Sequence, residues 1–371
     1  MAATGLTRSA IRGLVHELAA VGFVSEGLAV RSGTPGRPSP LVRLRAESAI
    51  VLGLEILVDS VAAAVVGLGG VVLAQRRIDR PPDRRAVEDV VGDLAALAAE
   101  LRGKVDGRLI GVGAAVAAVV RHSDGLVSVA PNLGWRDVPL GSQLATALDV
   151  PFPVAVANDA DLGVLAEHRR GAAVGVDDVL YVSGEVGVGG GVITGGVPLG
   201  GAEGYGGEIG HMPVNPDGRP CRCGSIGCWE TEVGEGALLA LTGRSADAGR
   251  AGVDAVLRDA AAGDPVALAA LARVGRWLGI GLAGLVNVLN PKLIVLGAMH
   301  GRIHPLVEPA IKAELARRAL AAPGSIVRTV PATLGPDAPM LGAAELAFEP
   351  FLFDPAAWFA ARDTTLSAAS A

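Results

Sequence analysis

Cysteine is scarce in this 371-residue chain: it has three, all between positions 221 and 228. Three cysteines build no disulfide framework, and their crowding into eight positions points to a metal rather than to redox chemistry. Long apolar runs are also missing. Half the residues are apolar, yet no stretch reaches the roughly 18 uninterrupted residues of a membrane span. Residues 1–10 contain no apolar stretch of the signal-peptide kind, so the expectation is a soluble, cytoplasmic protein with no membrane partner. Charged residues make up only 19%, and lysine nearly vanishes, with 3 against 29 arginines.

A net charge of −6 argues against a general nucleic-acid coat, but the average hides an asymmetry. Residues 1–45 carry Arg8, Arg12, Arg31, Arg37, Arg43 and Arg45 against Glu17 and Glu26, a balance of +4, which leaves −10 for the remainder. A basic head on an acidic body suggests a module that faces a polyanion. In so arginine-rich a chain, six arginines are also compatible with no such role. The length itself exceeds what one hydrophobic core usually serves and favours two or three domains.

Residues 7–20 place Ile11, Leu14, Val15 and Leu18 on one helical face, with Thr7 able to cap the first turn. The other face shows Arg8, Ser9, Arg12 and His16. A short strand signal at 22–24, a Gly/Pro/Arg loop at 31–40 and a strand at 41–45 follow. That order describes the second half of a winged helix-turn-helix. Arg8, Ser9 and Arg12 would reach bases or phosphates in the major groove, and Arg31 and Arg37 on the wing would approach the minor groove. The plainer alternative is an amphipathic helix and hairpin packed on the body.

Beyond Ser48 the pattern becomes β-rich and then alternates. Strands are expected at 50–58, 61–66 and 71–77, a helix at 86–102, and strands at 110–120 and 154–157, the last ending at Asn158 and Asp159. A second copy of this order starts at 179–182, continues at 189–193 and leads through helices to 293–296. The implied fold class is α/β, an actin-like ATPase fold of two lobes preceded by a partial winged helix-turn-helix.

The sharpest signal runs from His211 to Glu230, HMPVNPDGRPCRCGSIGCWE. His211, Cys221, Cys223 and Cys228 supply one imidazole and three thiolates, the ligand set of a closed structural zinc site. Gly224 and Gly227 allow the tight turns such a loop needs. Four protein ligands leave no open position for water, which excludes a hydrolytic role for the metal.

GGEIGHM followed by CRCGSIGCWE closely resembles the signature of the ROK family, named for repressors, open reading frames and kinases. APNLGW at 130–135, AND at 157–159, EVGVGGG at 185–191 and IVLGAMH at 294–300 fall in the family's order, so the resemblance spans essentially the whole chain. It implies a sugar site made by Asn158, Asp159, Glu208, His211 and Glu230, with His211 holding zinc on one ring nitrogen and sugar on the other. Such groups suit vicinal hydroxyls, because they accept and donate several hydrogen bonds at once. Asn158 and Asp159 also read as a cap for a helix over 162–169, and Glu208 and Glu230 as solvated surface.

In the family's kinases, the resemblance makes Asp159 the general base. Phosphoryl transfer depends more on positioned phosphates and metal than on a base. Where the kinases have Asp-any-Gly-Gly-Thr, this chain has Glu55, Ile56, Leu57, Val58 and Asp59, and Glu185, Val186 and Gly187 stand for Gly-Thr-Gly. Both departures add carboxylates and remove groups that cradle phosphate. The pattern resembles the xylose-repressor branch, with a sugar inducer, operator DNA as partner and a homodimer or higher homo-oligomer. The family's DNA-binding domain starts with two helices before the recognition helix, whereas only residues 1–6 precede it here, hence a partial module. The expected division is 1–45 for the head, 46–157 for a small lobe rejoined by 342–371, and 158–341 for a large lobe. Alternatives are an ATP-dependent sugar kinase and a sugar-binding protein with no DNA role.

Overall fold

The computed structural model describes residues 5–27, 41–80 and 86–355. Helix α1 (Arg8–Ala20) opens at Thr7, whose hydroxyl accepts from Ala10 N at 3.3 Å. Such a cap satisfies one of the orphan amides of the first turn. Gly22, at φ +85°, turns the chain into strands β1 (Val24–Gly27) and β2 (Leu41–Leu44), which pair antiparallel with Val24 opposite Leu44. The expected helix and strands are therefore present. Arg31 and Arg37 lie outside the described residues. α1 buries nothing fully, and Leu14 and Leu18 of its apolar face remain 47% and 39% exposed. The head is fastened to the body by Phe23, 4% exposed, whose ring meets that of Phe351 edge-on at 5.5 Å.

The body begins with an antiparallel meander, β3 (Ile50–Ile56), β4 (Ser60–Gly67) and β5 (Val71–Asp79). Helix α2 (Val87–Arg102) returns the chain to β6 (Leu109–Val116), parallel to β3. Three short strands, β7 (Val119–Arg121), β8 (Leu126–Ala130) and β9 (Trp135–Val138), form a small sheet of their own. Helix α3 (Leu140–Ala147) then leads to β10 (Ala155–Asn158), which completes a sheet of order β10-β6-β3-β4-β5. Residues alternate across the pleat. Ile50, Leu52, Leu54 and Ile56 accordingly share one core with Val90, Leu94 and Leu97 of α2, while Val51, Ala62, Ala64 and Val66 belong to another on the opposite face.

The order then repeats. After α4 (Asp159–Arg170) come β11 (Val179–Gly184), β12 (Val188–Thr194) and β13 (Val197–Pro198), again antiparallel. Helices α5 (Trp229–Val233), α6 (Glu235–Leu241), α7 (Gly249–Ala261) and α8 (Pro265–Leu289) precede β14 (Leu293–Gly297). Finally α9 (Ala298–Arg318) and α10 (Ala321–Ile326) lead to β15 (Arg328–Pro331) and α11 (Ala338–Phe353). The second sheet, β13-β12-β11-β14-β15, has the same order as the first: three antiparallel strands, then two parallel ones. This is the expected two-lobed, actin-like α/β fold. By length and composition α8 would cross a membrane, but Leu271, Val274, Leu278 and Leu282, spaced at helical intervals, belong to the core beneath the second sheet.

α11 returns to the first sheet and packs on β3, β6 and α4. The approach is close: a Cβ at Gly113 would lie 2.0 Å from Ala343 O, so only glycine fits there. One expectation is corrected. The strand expected at 110–120 is two strands, because the chain leaves the sheet after Val116 and Ala118 O accepts from Asn158 Nδ2 at 3.0 Å. The run VAAVV carries no turn residue, and the bond that fixes the break comes from forty positions away.

Glu167 of α4, fully buried, clamps the segment that leads into α11. Its carboxylate accepts from Ala172 N at 2.6 Å, Thr333 N at 2.9 Å, Thr333 Oγ1 at 3.1 Å and Leu334 N at 2.8 Å. Removing it strands several buried donors, each worth about 1–3 kcal/mol. Glu167→Ala is therefore expected to lower unfolding free energy by roughly 3 kcal/mol or more in urea titrations, and Glu167→Gln, which keeps one acceptor, by less.

Candidate functional site

Between β13 and α5 the chain runs for about thirty residues with only two short 3-10 turns, one of them Ile209–His211. Local bonds shape its end: Cys221 N donates to Ser225 O at 2.8 Å and Gly224 N to Cys221 O at 3.1 Å. Gly224 and Gly227 sit at φ +95° and +69°, and a Cβ at Gly227 would fall 1.6 Å from Asn215 O. Trp229, fully buried, anchors the exit by donating Nε1 to Trp277 O at 2.9 Å.

The loop gathers the four expected ligands. One ligand atom each from His211, Cys221, Cys223 and Cys228 lies within 4.8 Å of all the others. Cys223 Sγ and Cys228 Sγ are 3.7 Å apart, as are Cys221 Sγ and His211 Nδ1. A tetrahedral zinc ion with Zn–S near 2.3 Å and Zn–N near 2.0 Å has edges of roughly 3.5–3.8 Å, so these residues fit zinc and close its coordination. The site is structural.

Beside it, between the two sheets, opens a cavity of about 470 Å³. All five residues of the implied sugar site line it. Asn158 and Asp159 come from the β10–α4 junction, and Glu208, His211 and Glu230 from the zinc loop. His211 stands between cluster and cavity: Nδ1 faces Cys221 Sγ, while Nε2 lies 3.9 Å from Glu208 Oε2. Asn158 is more committed than the sequence indicates. Its Oδ1 caps α4, accepting from Ala160 N at 2.7 Å and Asp161 N at 3.3 Å, and its Nδ2 holds Ala118 O. One amide hydrogen is left for any ligand. Reading the sequence missed Asp161, Asn132, Arg136 and Arg222. The last three line the cavity, and Asn132 and Arg222 lie inside APNLGW and CRCG.

Carboxylates crowd this region. Burial, then Glu185 and Glu208, pushes Asp159 up to about 7, and burial with Asp159 pushes Asp161 to about 8. Glu55, fully buried at the end of β3, is ion-paired to Arg77 of β5, yet burial still raises it to about 8. Arg77 also donates to Ser60 Oγ at 3.0 Å and lies 3.6 Å from Asp337. Leu57, Val58 and Asp59 line the cavity beyond.

A second cavity of about 460 Å³ adjoins, sharing Asp59, Glu185 and Val186 and adding Glu235 and Asp254. Burial and the nearby Glu185 and Asp59 raise Glu235 to about 7. Its two arginines are engaged, Arg302 with Asp254 and Arg250 with Glu185 at 3.6 Å. Four carboxylates thus face this cavity against two paired cations.

Purified protein should hold one zinc per chain by elemental analysis, and Cys223→Ser should lose it and melt at lower temperature. A carboxyl raised in the fold binds its proton more tightly there than unfolded, so it weakens the fold as pH rises from its unfolded value, near 4, to its folded one. Asp159→Asn should thus raise Tm by a few degrees at pH 8 and leave it unchanged at pH 4, as scanning fluorimetry at both values would show.

Comparison with known proteins agrees with the geometry. The description "ROK family" matches residues 51–349. The xylose repressor of Bacillus subtilis (strain 168) is 30% identical over 351 residues, covering 94% of this chain and 90% of that one. A crystal structure of a ROK family glucokinase from Streptomyces griseus in complex with glucose and AMPPNP superposes with a TM-score of 0.70 at 31% identity, over 80% of this chain and 99% of that one. A ROK family transcriptional regulator, a homologue of the E. coli MLC protein, superposes with a TM-score of 0.73 at 25% identity, over 91% and 88%. With a doubled α/β fold, a zinc loop of one histidine and three cysteines, and a polar cleft beside it, the chain belongs to the ROK family.

Proposed function

We propose that this chain is a sugar-responsive transcriptional repressor that binds a sugar inducer in the interlobe cleft and does not turn it over. The observation that carries the reading is the fate of the phosphate-handling positions. Glu55 is buried against Arg77, and Asp59, Glu185, Glu235 and Asp254 face the cavity next to the sugar cleft. Phosphoryl transfer rests on positioning and neutralising phosphate charge, and this wall repels it. The polar set Asn158, Asp159, Glu208, His211 and Glu230 meanwhile stays together in one cavity. Binding without turnover is the use left for it.

In this reading residues 1–45 form the DNA-binding segment, 46–157 with 342–371 the small lobe, and 158–341 the large one. Arg8, Ser9 and Arg12 are exposed on α1 and contact operator DNA together with Arg31 and Arg37. Two copies act as a dimer across a paired site, and sugar shifts the population of lobe arrangements. Similarity to a xylose repressor and to a transcriptional regulator over about nine-tenths of the chain supports this assignment.

One observation favours a sugar kinase instead. Asp159 keeps the position of a general base, with its carboxyl raised to about 7, where a base is best poised. A coupled assay over a sugar panel separates the two. We expect no sugar-dependent ATP consumption above background, and consumption abolished by Asp159→Asn would sink the repressor reading. For DNA, anisotropy with promoter-proximal fragments should show sugar weakening binding about 5- to 150-fold, the usual size of allosteric coupling. Asp159→Ala should keep DNA binding and lose that response. Arg12→Ala should weaken binding and reduce the salt slope by about one if it meets phosphate.

A further inference from the structure

The cavity of about 460 Å³ beside the sugar cleft is lined by Asp59, Glu185, Glu235, Asp254, Arg250 and Arg302. Two of its four carboxylates have a cation: Asp254 is ion-paired to Arg302, and Glu185 lies 3.6 Å from Arg250. Glu235 has none. It is the first residue of α6 and only 9% exposed, and among the described residues its carboxylate makes neither an ion pair nor a hydrogen bond. The Asp59 carboxylate has a single partner among them, the Ser60 hydroxyl, which donates at 3.3 Å.

These groups are close neighbours. Glu235 N donates to Glu185 O at 3.0 Å, and a Cβ at Gly249, next to Arg250, would lie 3.8 Å from Glu235 Oε1. Burial, then the charges of Glu185 and Asp59, push the Glu235 carboxyl up to about 7, and Arg250 and Arg302 offset this only in part. The two arginines therefore do not neutralise this corner of the cavity. A buried carboxylate without a partner is costly to the fold, and the missing partner is a cation that the chain does not supply. The rest of the lining is largely apolar, with Val186, Leu296, Met299, Pro331 and Pro336.

We propose that this cavity is a second ligand site and takes a small organic cation, an alkyl diamine or polyamine, whose ammonium group pairs with Glu235 and Asp59 while its methylene stem lies on the apolar lining. The site is independent of the sugar reading and stands whatever the neighbouring cleft binds. Its volume falls within the range of small-ligand sites. An ammonium brings three donors and no acceptor and tolerates varied geometry. A bare divalent ion fits less well, because Mg2+ demands a near-octahedral shell of oxygens at about 2.1 Å, and Glu185 and Asp254 already face arginines. Asp59 and Glu185 line both cavities, so a cation held here also changes the charge of the sugar cleft.

Isothermal titration of the zinc-loaded full chain tests this with putrescine, cadaverine, spermidine, the neutral isostere 1,4-butanediol and magnesium chloride. At pH 8 at least one amine should bind about tenfold or more tightly than the diol, the gain expected from one charge-assisted contact. That advantage should shrink with salt. Alkyl ammonium groups stay protonated to about pH 10, whereas Glu235 gains its charge near 7, so amine affinity should rise from pH 6 to pH 8. Glu185, also raised by burial, adds to that rise, while Asp254 and both arginines are ion-paired. Glu235→Gln should weaken the amine about tenfold and flatten the pH dependence, with zinc content and far-UV spectrum unchanged, because the carboxylate it removes holds no other group in place. Asp59→Asn should weaken the amine as well. No heat from any amine at millimolar concentration, a diol that binds as tightly, or an affinity that survives Glu235→Gln overturns the proposal. Magnesium binding more tightly than every amine and lost in Glu235→Gln also overturns it, in favour of an inorganic cation.

Discussion

Everything at the cleft depends on the loop between β13 and α5 holding one shape without regular secondary structure to hold it. Segments of that length in a compact fold are uncommon unless something else orders them. Here the ordering comes from the His211, Cys221, Cys223 and Cys228 cluster and from Trp229, sunk against α8 where a Cβ at Gly281 would meet its ring at 2.2 Å. The same thirty residues deliver Glu208, His211 and Arg222 to the cavity wall, and α5 directly after them adds Glu230. A ligand set for zinc and a ligand set for the cleft are thus one piece of chain, and His211 belongs to both. Metal binding and site geometry become a single equilibrium, in the way metal affinity is coupled to folding.

The second organising feature is unbalanced negative charge. Glu55, Asp159, Asp161 and Glu235 are all raised into the range of about 7 to 8, chiefly by burial. Natural sequences keep such concentrations where function requires them and offset the strain elsewhere. Part of the compensation is visible: Arg77 reaches from β5 to Glu55, Ser60 and the neighbourhood of Asp337, setting a fixed cation against the buried Glu55.

The zinc ligands were legible because their chemistry is written in one closely spaced motif, whereas the five candidate sugar residues came from the resemblance to the ROK family. The doubled strand order was legible because fully buried strands such as β3 and β4 read as apolar runs between turn residues. What escaped depends on contacts between distant positions. The break between β6 and β7 is set by Asn158, and the small β7-β8-β9 sheet consists of strands of three to five residues with weak periodicity. The pairing of Arg77 with Glu55 and the clamp of Glu167 on Thr333 likewise join residues that no local pattern relates. Arg222 could have been noticed, since a charged residue between two zinc ligands cannot turn inward. Arg136 could not, because its exposure to the cavity follows from the register of β9 against β8.

The path from cleft to head is short in parts, though long in sequence. α4 begins at the cavity with Asp159, and at its far end Arg169 and Arg170 engage Glu345 of α11, with Arg169 also reaching Glu349 at 2.7 Å. Arg170 further donates to Gly69 O, in the turn against which Leu44 of β2 packs. α11 starts beside Asp337, within reach of Arg77, and near its end Phe351 holds Phe23 of the head. Spatial continuity alone does not establish coupling, but stiffness matters here. α11 is packed on the first sheet, α4 chiefly on β12 and β11 of the second, and the two helices on each other, so neither has room to absorb a displacement locally. Under the proposed function, a shift of the zinc-loop wall against Asp159 therefore moves α4 and α11 as a unit. The edge-on contact of Phe23 with Phe351, together with Leu44 of β2 against the Gly69 turn, is then where that movement reaches the head.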